Sequence, residues 1–195
     1  MICKGCLAKR IDKSSLLKGQ FTLASGKKSG IYVDMSKSLY HRDILTDIAR
    51  MITNKLSAYN SHKIDAIGGP ALGALPLVTA CLLPSMFHAD IKPRRGFCVR
   101  KEEKTYGCKD LIEGNLFMLD NVILLEDVTT SGTSLYKAVE ATEKFTGVKV
   151  LGLLTVVDRE EGAIDFFKEK GYTLDRLFTL TEIKNAESIP CTCGA

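Results

Sequence analysis

The run Val122-Ile123-Leu124-Leu125-Glu126-Asp127-Val128-Thr129-Thr130-Ser131-Gly132-Thr133-Ser134 decides how this chain is read. Its apolar front, Asn121 to Glu126, predicts a buried strand, and its far end opens a helix predicted over Thr133 to Phe145. Between them lie two adjacent carboxylates, Glu126 and Asp127, and then small hydroxyl residues with one glycine. Such a junction suits a sugar phosphate. Backbone N–H groups at a helix N-terminus, with Thr and Ser hydroxyls, can wrap a phosphate, and Gly132 lets the main chain approach it closely. Carboxylates at the end of a central strand, where open α/β sheets bind their ligands, can hold ribose hydroxyls or steady charge on the ring. The competing reading is a capped helix behind a buried strand, with Thr129 or Ser131 as N-cap. Neighbouring acids repel each other and add nothing to a core, which weighs against it.

The alternation continues on both sides of this run. Lys63 to Gly68 reads as a strand and Leu72 to Leu83 as a helix; Gly96 to Arg100 is a second strand. Lys149 to Val157 is a continuous apolar run, as expected of a strand buried on both faces. A helix over Ala163 to Lys170 and a closing strand over Tyr172 to Leu180 follow. The pattern predicts an α/β fold with a mainly parallel, twisted sheet flanked by helices. A length of 195 residues fits one domain over 1–195, with the α/β core at 60–180. Residues 1–40 differ: a helix over about 3–12 leads into Phe21-Thr22-Leu23, a turn at Ser25 to Gly30, and Ile31 to Asp34 as a second strand. Residues 101–114 are polar and turn-rich, and a loop of that length in a compact domain is usually functional or mobile.

Charge sharpens the point about that loop. Residues 94–109 hold Arg94, Arg95, Arg100, Lys101, Lys104 and Lys109 against Glu102 and Glu103, so this segment carries the entire net charge of +4. Clustered Lys and Arg can draw a small polyanion or nucleic acid, and on composition alone a solvated loop is the simpler alternative; the charge-neutral remainder speaks against nucleic acid. No stretch approaches the roughly 18 apolar residues of a membrane span, and Met1 to Cys6 does not read as a secretion signal. A cytoplasmic protein with no membrane partner is expected. Seven cysteines are an odd count, and a disulfide framework is not expected in a chain this large with no export signal. Cys3-x-x-Cys6 and Cys191-x-Cys193 could bind zinc if the termini met; free thiols are the simpler reading.

The acidic run is similar to the phosphoribosyl-diphosphate motif of the type I phosphoribosyltransferases, and three further segments resemble one branch, the orotate phosphoribosyltransferases. Phe21-Thr22-Leu23-Ala24-Ser25-Gly26-Lys27-Lys28-Ser29, with Tyr32 and Asp34, matches the segment that forms that family's hood over the base. Arg100 to Gly107, followed by Ile112-Glu113-Gly114, matches its mobile catalytic loop, and Val157-Asp158-Arg159-Glu160 the strand end whose Arg contacts orotate. Gly68-Gly69-Pro70-Ala71-Leu72-Gly73 stands where the diphosphate loop belongs, so the resemblance runs in order from residue 16 to 180. Three positions depart from the pattern. Ala24 and Gly73 stand where some members carry lysine, and Tyr106 where histidine is common.

The resemblance implies transfer of a phosphoribosyl group to orotate in pyrimidine nucleotide synthesis. It implies Lys101, Glu126 and Asp127 as catalytic residues. It assigns phosphoribosyl diphosphate to Arg100, Lys101, Lys104, Tyr106, Leu72, Gly73 and the whole run Glu126, Asp127, Val128, Thr129, Thr130, Ser131, Gly132, Thr133 and Ser134. It assigns orotate to Ser25, Gly26, Tyr32, Thr130 and Arg159. An Arg fork is the side chain best matched to orotate's carboxylate; without a ligand, Arg159 would be a surface ion pair with Asp158 or Glu160. Mg²⁺ is implied as cofactor, held mainly by the substrate with no dedicated protein ligands. A homodimer is implied too, its loop 101–114 reaching into the partner's site. Two rivals keep the same fold: a transferase for another base such as uracil or xanthine, and a nucleotide-sensing regulator.

Overall fold

The computed structural model describes residues 3–22, 28–59, 63–83, 94–102 and 111–189. Helix α1 (Lys4–Ser15) leads into an antiparallel pair, β1 (Leu16–Thr22) and β2 (Lys28–Val33), which forms a sheet of its own. The register joins Leu16 to Val33 and Phe21 to Ser29, with an irregularity between Lys18 and Phe21. Helices α2 (Ser36–Leu39) and α3 (Arg42–Ala58) follow. The strand–helix alternation read from the sequence begins at Lys63 and leaves α3 out. Its signal is nevertheless present: Ile44, Ile48, Ile52 and Leu56 recur every fourth residue, and all are buried.

The main sheet comprises β3 (Ala66–Gly68), β4 (Arg95–Val99), β5 (Ile112–Gly114), β6 (Asn121–Thr129), β7 (Lys149–Asp158) and β8 (Leu174–Thr179). Its order is β5-β4-β3-β6-β7-β8, and every pairing is parallel except that of β4 with β5. The helices joining it are α4 (Ala74–Leu82), α5 (Thr133–Glu143), α6 (Ala163–Glu169) and, after β8, α7 (Leu180–Lys184). The expected α/β class holds. Two boundaries shift. Strand β6 runs on to Thr129, so Asp127 lies within it with Glu126 rather than just past its end. Residues 112–114, read as part of the irregular loop, pair with β4; three residues are too few to show a period of two.

The apolar continuity of β6 and β7 has a direct cause in the alternation of side chains along a strand. Ile123, Leu125, Leu154 and Val156 enter one core with α1, α3 and α4, while Val122, Leu124 and Leu153 enter another with α5 and α6. Each such side chain, fully buried, contributes about 1.5–3 kcal/mol. From β3 the chain winds one way to β4 and β5, then returns to β6 and winds the other way. The switch point therefore falls between the carboxyl ends of β3 and β6, where sheets of this kind bind ligands. Among the described residues no helix is long and apolar enough to cross a membrane.

Candidate active site

At that switch point opens a cavity of about 580 Å³, lined by Tyr32, Val33, every residue from Glu126 to Leu135, and Arg159. The small sheet supplies Tyr32, whose ring lies 5.5 Å from that of Phe21. Strand β6 supplies the acids and Thr129, the following turn the other hydroxyls, and the end of β7 leads directly into Arg159.

Glu126 is buried, 6% exposed, and pairs in register with Thr155 of β7. Burial, reinforced by the charge of Asp127, pushes its carboxyl well above the usual glutamate range; Lys101 acts weakly in the opposite sense. Burial also raises Asp127, although its Oδ1 accepts a hydrogen bond from the Val128 N–H at 2.7 Å. Desolvation thus makes two adjacent charges costly, and the pair favours holding a proton. Each unit of raised pKa opposes folding by about 1.4 kcal/mol once pH has passed the folded value. Below the ordinary glutamate value both states are protonated and nothing is lost; the penalty grows as pH rises from there towards the folded pKa. Glu126→Gln should therefore raise the melting temperature of the ligand-free protein at pH 8 and leave it near wild type at pH 4. A difference that is the same at both pH values would refute the burial penalty.

The turn after β6 has a shape that can take an anion. Gly132 sits at φ 87°, and a Cβ there would lie 2.7 Å from the Phe167 ring, so both backbone and packing require glycine. Gly132, not Thr129 or Ser131, is the N-cap of α5, and no side chain caps that helix. Its first N–H groups are left for a ligand. Ser131 Oγ and Thr133 Oγ1 lie 3.0 Å apart. Thr129 Oγ1 is buried with no hydrogen-bond partner among the described residues, although it lines the cavity.

Arg159 is 8% exposed, and its N–H donates to the Thr129 carbonyl at 2.9 Å, locking the end of β7 to that of β6. Its ion pair is with neither Asp158 nor Glu160. Its Nε donates to Glu161 Oε1 at 2.9 Å, while Asp158 is taken by Arg176 at 2.7 Å. Glu161 escaped the sequence reading; an acid two residues after the key arginine was its only sign.

Other expected site residues stand apart from this lining. Arg100 faces β5, with Nη1 3.2 Å from Glu113 and Nε 3.3 Å from the Glu102 carbonyl. Lys101 is exposed, and Leu72 is 77% exposed. Gly73 packs directly on Asp127. Ser25, Gly26, Lys104 and Tyr106 lie outside the described residues, as do Ala24, Cys108, Cys191 and Cys193. The thiol of Cys81 is buried, which pushes it up to about 12, so it is no nucleophile at neutral pH.

A mainly parallel sheet whose switch point carries an acidic pair, a hydroxyl-rich glycine turn and an uncapped helix defines a type I phosphoribosyltransferase. No family profile matches the chain. An orotate phosphoribosyltransferase of Methanosphaera stadtmanae is 42% identical over 182 residues, covering 93% of this chain and 96% of the relative. The orotate phosphoribosyltransferase of Mycobacterium tuberculosis, solved with Fe(III) dicitrate, superposes with a TM-score of 0.77 at 31% identity, over 92% of this chain and 98% of that one. The same enzyme solved with 5-phospho-α-D-ribosyl 1-diphosphate gives a TM-score of 0.73 at 29% identity, over 93% and 98%. The chain belongs to the orotate phosphoribosyltransferase family.

Proposed function

We propose that the protein transfers the phosphoribosyl group of phosphoribosyl diphosphate to N1 of orotate, giving orotidine 5′-monophosphate and diphosphate in the synthesis of UMP. The observation that carries this reading is the nearly buried Arg159, opening on the same cavity as the phosphate turn. Glu161 holds this buried guanidinium only at Nε, which leaves its terminal nitrogens to take an anionic ligand. Orotate has a carboxylate; uracil and xanthine do not.

The 5′-phosphate belongs at the N-terminus of α5, held by its N–H groups and the hydroxyls of Thr129, Thr130, Ser131, Thr133 and Ser134. Glu126 and Asp127 take the ribose hydroxyls and oppose positive charge growing on the ring. In the reaction the C1–O bond to diphosphate breaks with its electron pair, N1 forms the new bond to C1, and the N1 proton is lost. Lys101, with Arg100 and Lys104, stabilises the negative charge that builds on the diphosphate. The cavity lining offers carboxylate and hydroxyl oxygens, donors that fit Mg²⁺, and the family resemblance supports an ion held mainly by the substrate. Bound Mg²⁺ supplies charge neutralisation for the diphosphate and orients it. The family resemblance supports a cytoplasmic homodimer in which residues 101–114 serve the partner's site.

Arg159→Ala tests the acceptor. Loss of a charge-assisted hydrogen bond to a carboxylate is worth about 1.5–3 kcal/mol, so the orotate KM should rise roughly 10- to 100-fold. The KM for phosphoribosyl diphosphate should hardly move. An unchanged orotate KM would place the carboxylate elsewhere.

A further inference from the structure

The turn that carries Arg159 is held far more firmly than a loop needs to be. Asp158, 1% exposed, accepts hydrogen bonds from the Glu160 N–H at 2.9 Å and from Arg176 at 2.7 Å. Glu160 adopts a left-handed conformation, φ 61°, and its carboxylate accepts the Thr181 N–H of α7 at 2.9 Å. Gly162, at φ 95°, is left-handed as well and starts α6. Glu161 thus sits between two left-handed residues. A non-glycine residue in that region persists only where its surroundings hold it. The outcome of the turn is one contact: Glu161 Oε1 against Arg159 Nε, 2.9 Å, with the Arg159 side chain 6% exposed.

That contact matters for geometry. A guanidinium has a side edge at Nε and an end formed by its two terminal nitrogens. Glu161 occupies the Nε position, and among the described residues no other side chain is hydrogen-bonded to this guanidinium. We propose that Glu161 is a positioning residue for acceptor recognition: by holding Nε it fixes the plane of Arg159 and leaves the terminal nitrogens to grip the acceptor's carboxylate. Glu161 itself touches no substrate. This inference rests on the reading that Arg159 binds orotate, and it adds the device that keeps the guanidinium pre-oriented, so that the ligand need not order it.

The test is steady-state kinetics on the full-length enzyme, varying orotate and phosphoribosyl diphosphate separately, for Glu161→Ala, Glu161→Gln, Arg159→Ala and the double variant Arg159→Ala/Glu161→Ala. Glu161→Ala should raise the orotate KM about tenfold, with kcat and the other KM within about twofold. Glu161→Gln keeps an acceptor oxygen for Nε and should stay within about twofold of wild type; it also serves if the alanine variant fails to fold. Adding Glu161→Ala to Arg159→Ala should change the orotate KM less than about twofold, because Glu161 acts through Arg159. The inference falls if Glu161→Ala leaves the orotate KM alone, if Glu161→Gln loses as much as alanine, or if both KM values and kcat worsen together. Should Arg159→Ala itself leave the orotate KM unchanged, the carboxylate assignment fails and this inference with it. A raised KM in Arg159→Ala with none in Glu161→Ala overturns only the role of Glu161.

Discussion

Lys101→Ala should lower kcat by about 100- to 1,000-fold while the orotate KM stays within about twofold, a magnitude typical of removing one donor aimed at developing charge. The reason lies in when the charge appears. Diphosphate is already anionic in the ground state, but the bond to C1 gives it further charge only as it breaks, so a cation placed there favours the transition state over the bound substrate. Lys101 follows β4 with its side chain exposed. Pre-steady-state and steady-state turnover with saturating substrates would measure the effect. Equal turnover in the variant would remove the catalytic role. The same variant tests the shared site: mixing Lys101→Ala homodimers with Asp127→Asn homodimers should restore activity. No recovery after confirmed subunit exchange would count against it.

Gly73→Ala should cost nearly as much, for a different reason. Gly73 has ordinary right-handed helical backbone, φ −59°, ψ −40°, so alanine suits its conformation and should favour the start of α4. The obstacle is steric: a Cβ at residue 73 would lie 2.4 Å from Asp127 Oδ1 and 2.6 Å from its Cγ. Asp127 would have to swing away and give up the Val128 N–H. A displacement of about 1 Å in a catalytic group can cost on the order of 100-fold in rate, and that loss is expected here with the melting temperature preserved. Activity retained in Gly73→Ala would show that the position of Asp127 is unimportant. The contact also gives physical meaning to a departure from the family pattern. Where some members carry lysine at this place, this chain uses the space for its aspartate, so Gly73→Lys should fail through Asp127 rather than gain a useful cation.

The main sheet was legible because its strands are buried on both faces: Val122 to Leu125 and Leu153 to Val157 read as unbroken apolar runs, which few other arrangements produce. The hydroxyl-rich turn after β6 was legible because its residues are contiguous, from Glu126 to Ser134. Helix α3 was harder to see because its buried stripe, Ile44-Ile48-Ile52-Leu56, is spaced among charged residues and has no side-chain N-cap at His41. What sequence could not supply was contact across elements. The ligand-free alternative pairs Arg159 with Asp158 or Glu160, yet left-handed backbone at Glu160 brings Glu161 to it and leaves Asp158 for Arg176. Asp127 against Gly73 is likewise a meeting of β6 with the loop after β3, far apart in the chain and joined only by the sheet order. The pairing of Arg100, assigned to the diphosphate by resemblance, with Glu113 of β5 is a further contact between strands that no local pattern announces.

The most direct test of the central claim is an ultraviolet assay of base consumption with phosphoribosyl diphosphate and Mg²⁺, run in parallel on orotate, uracil and xanthine. Consumption of orotate that stops when Mg²⁺ is chelated, with uracil and xanthine untouched, is the predicted result. Turnover of uracil or xanthine with orotate left unchanged would contradict it.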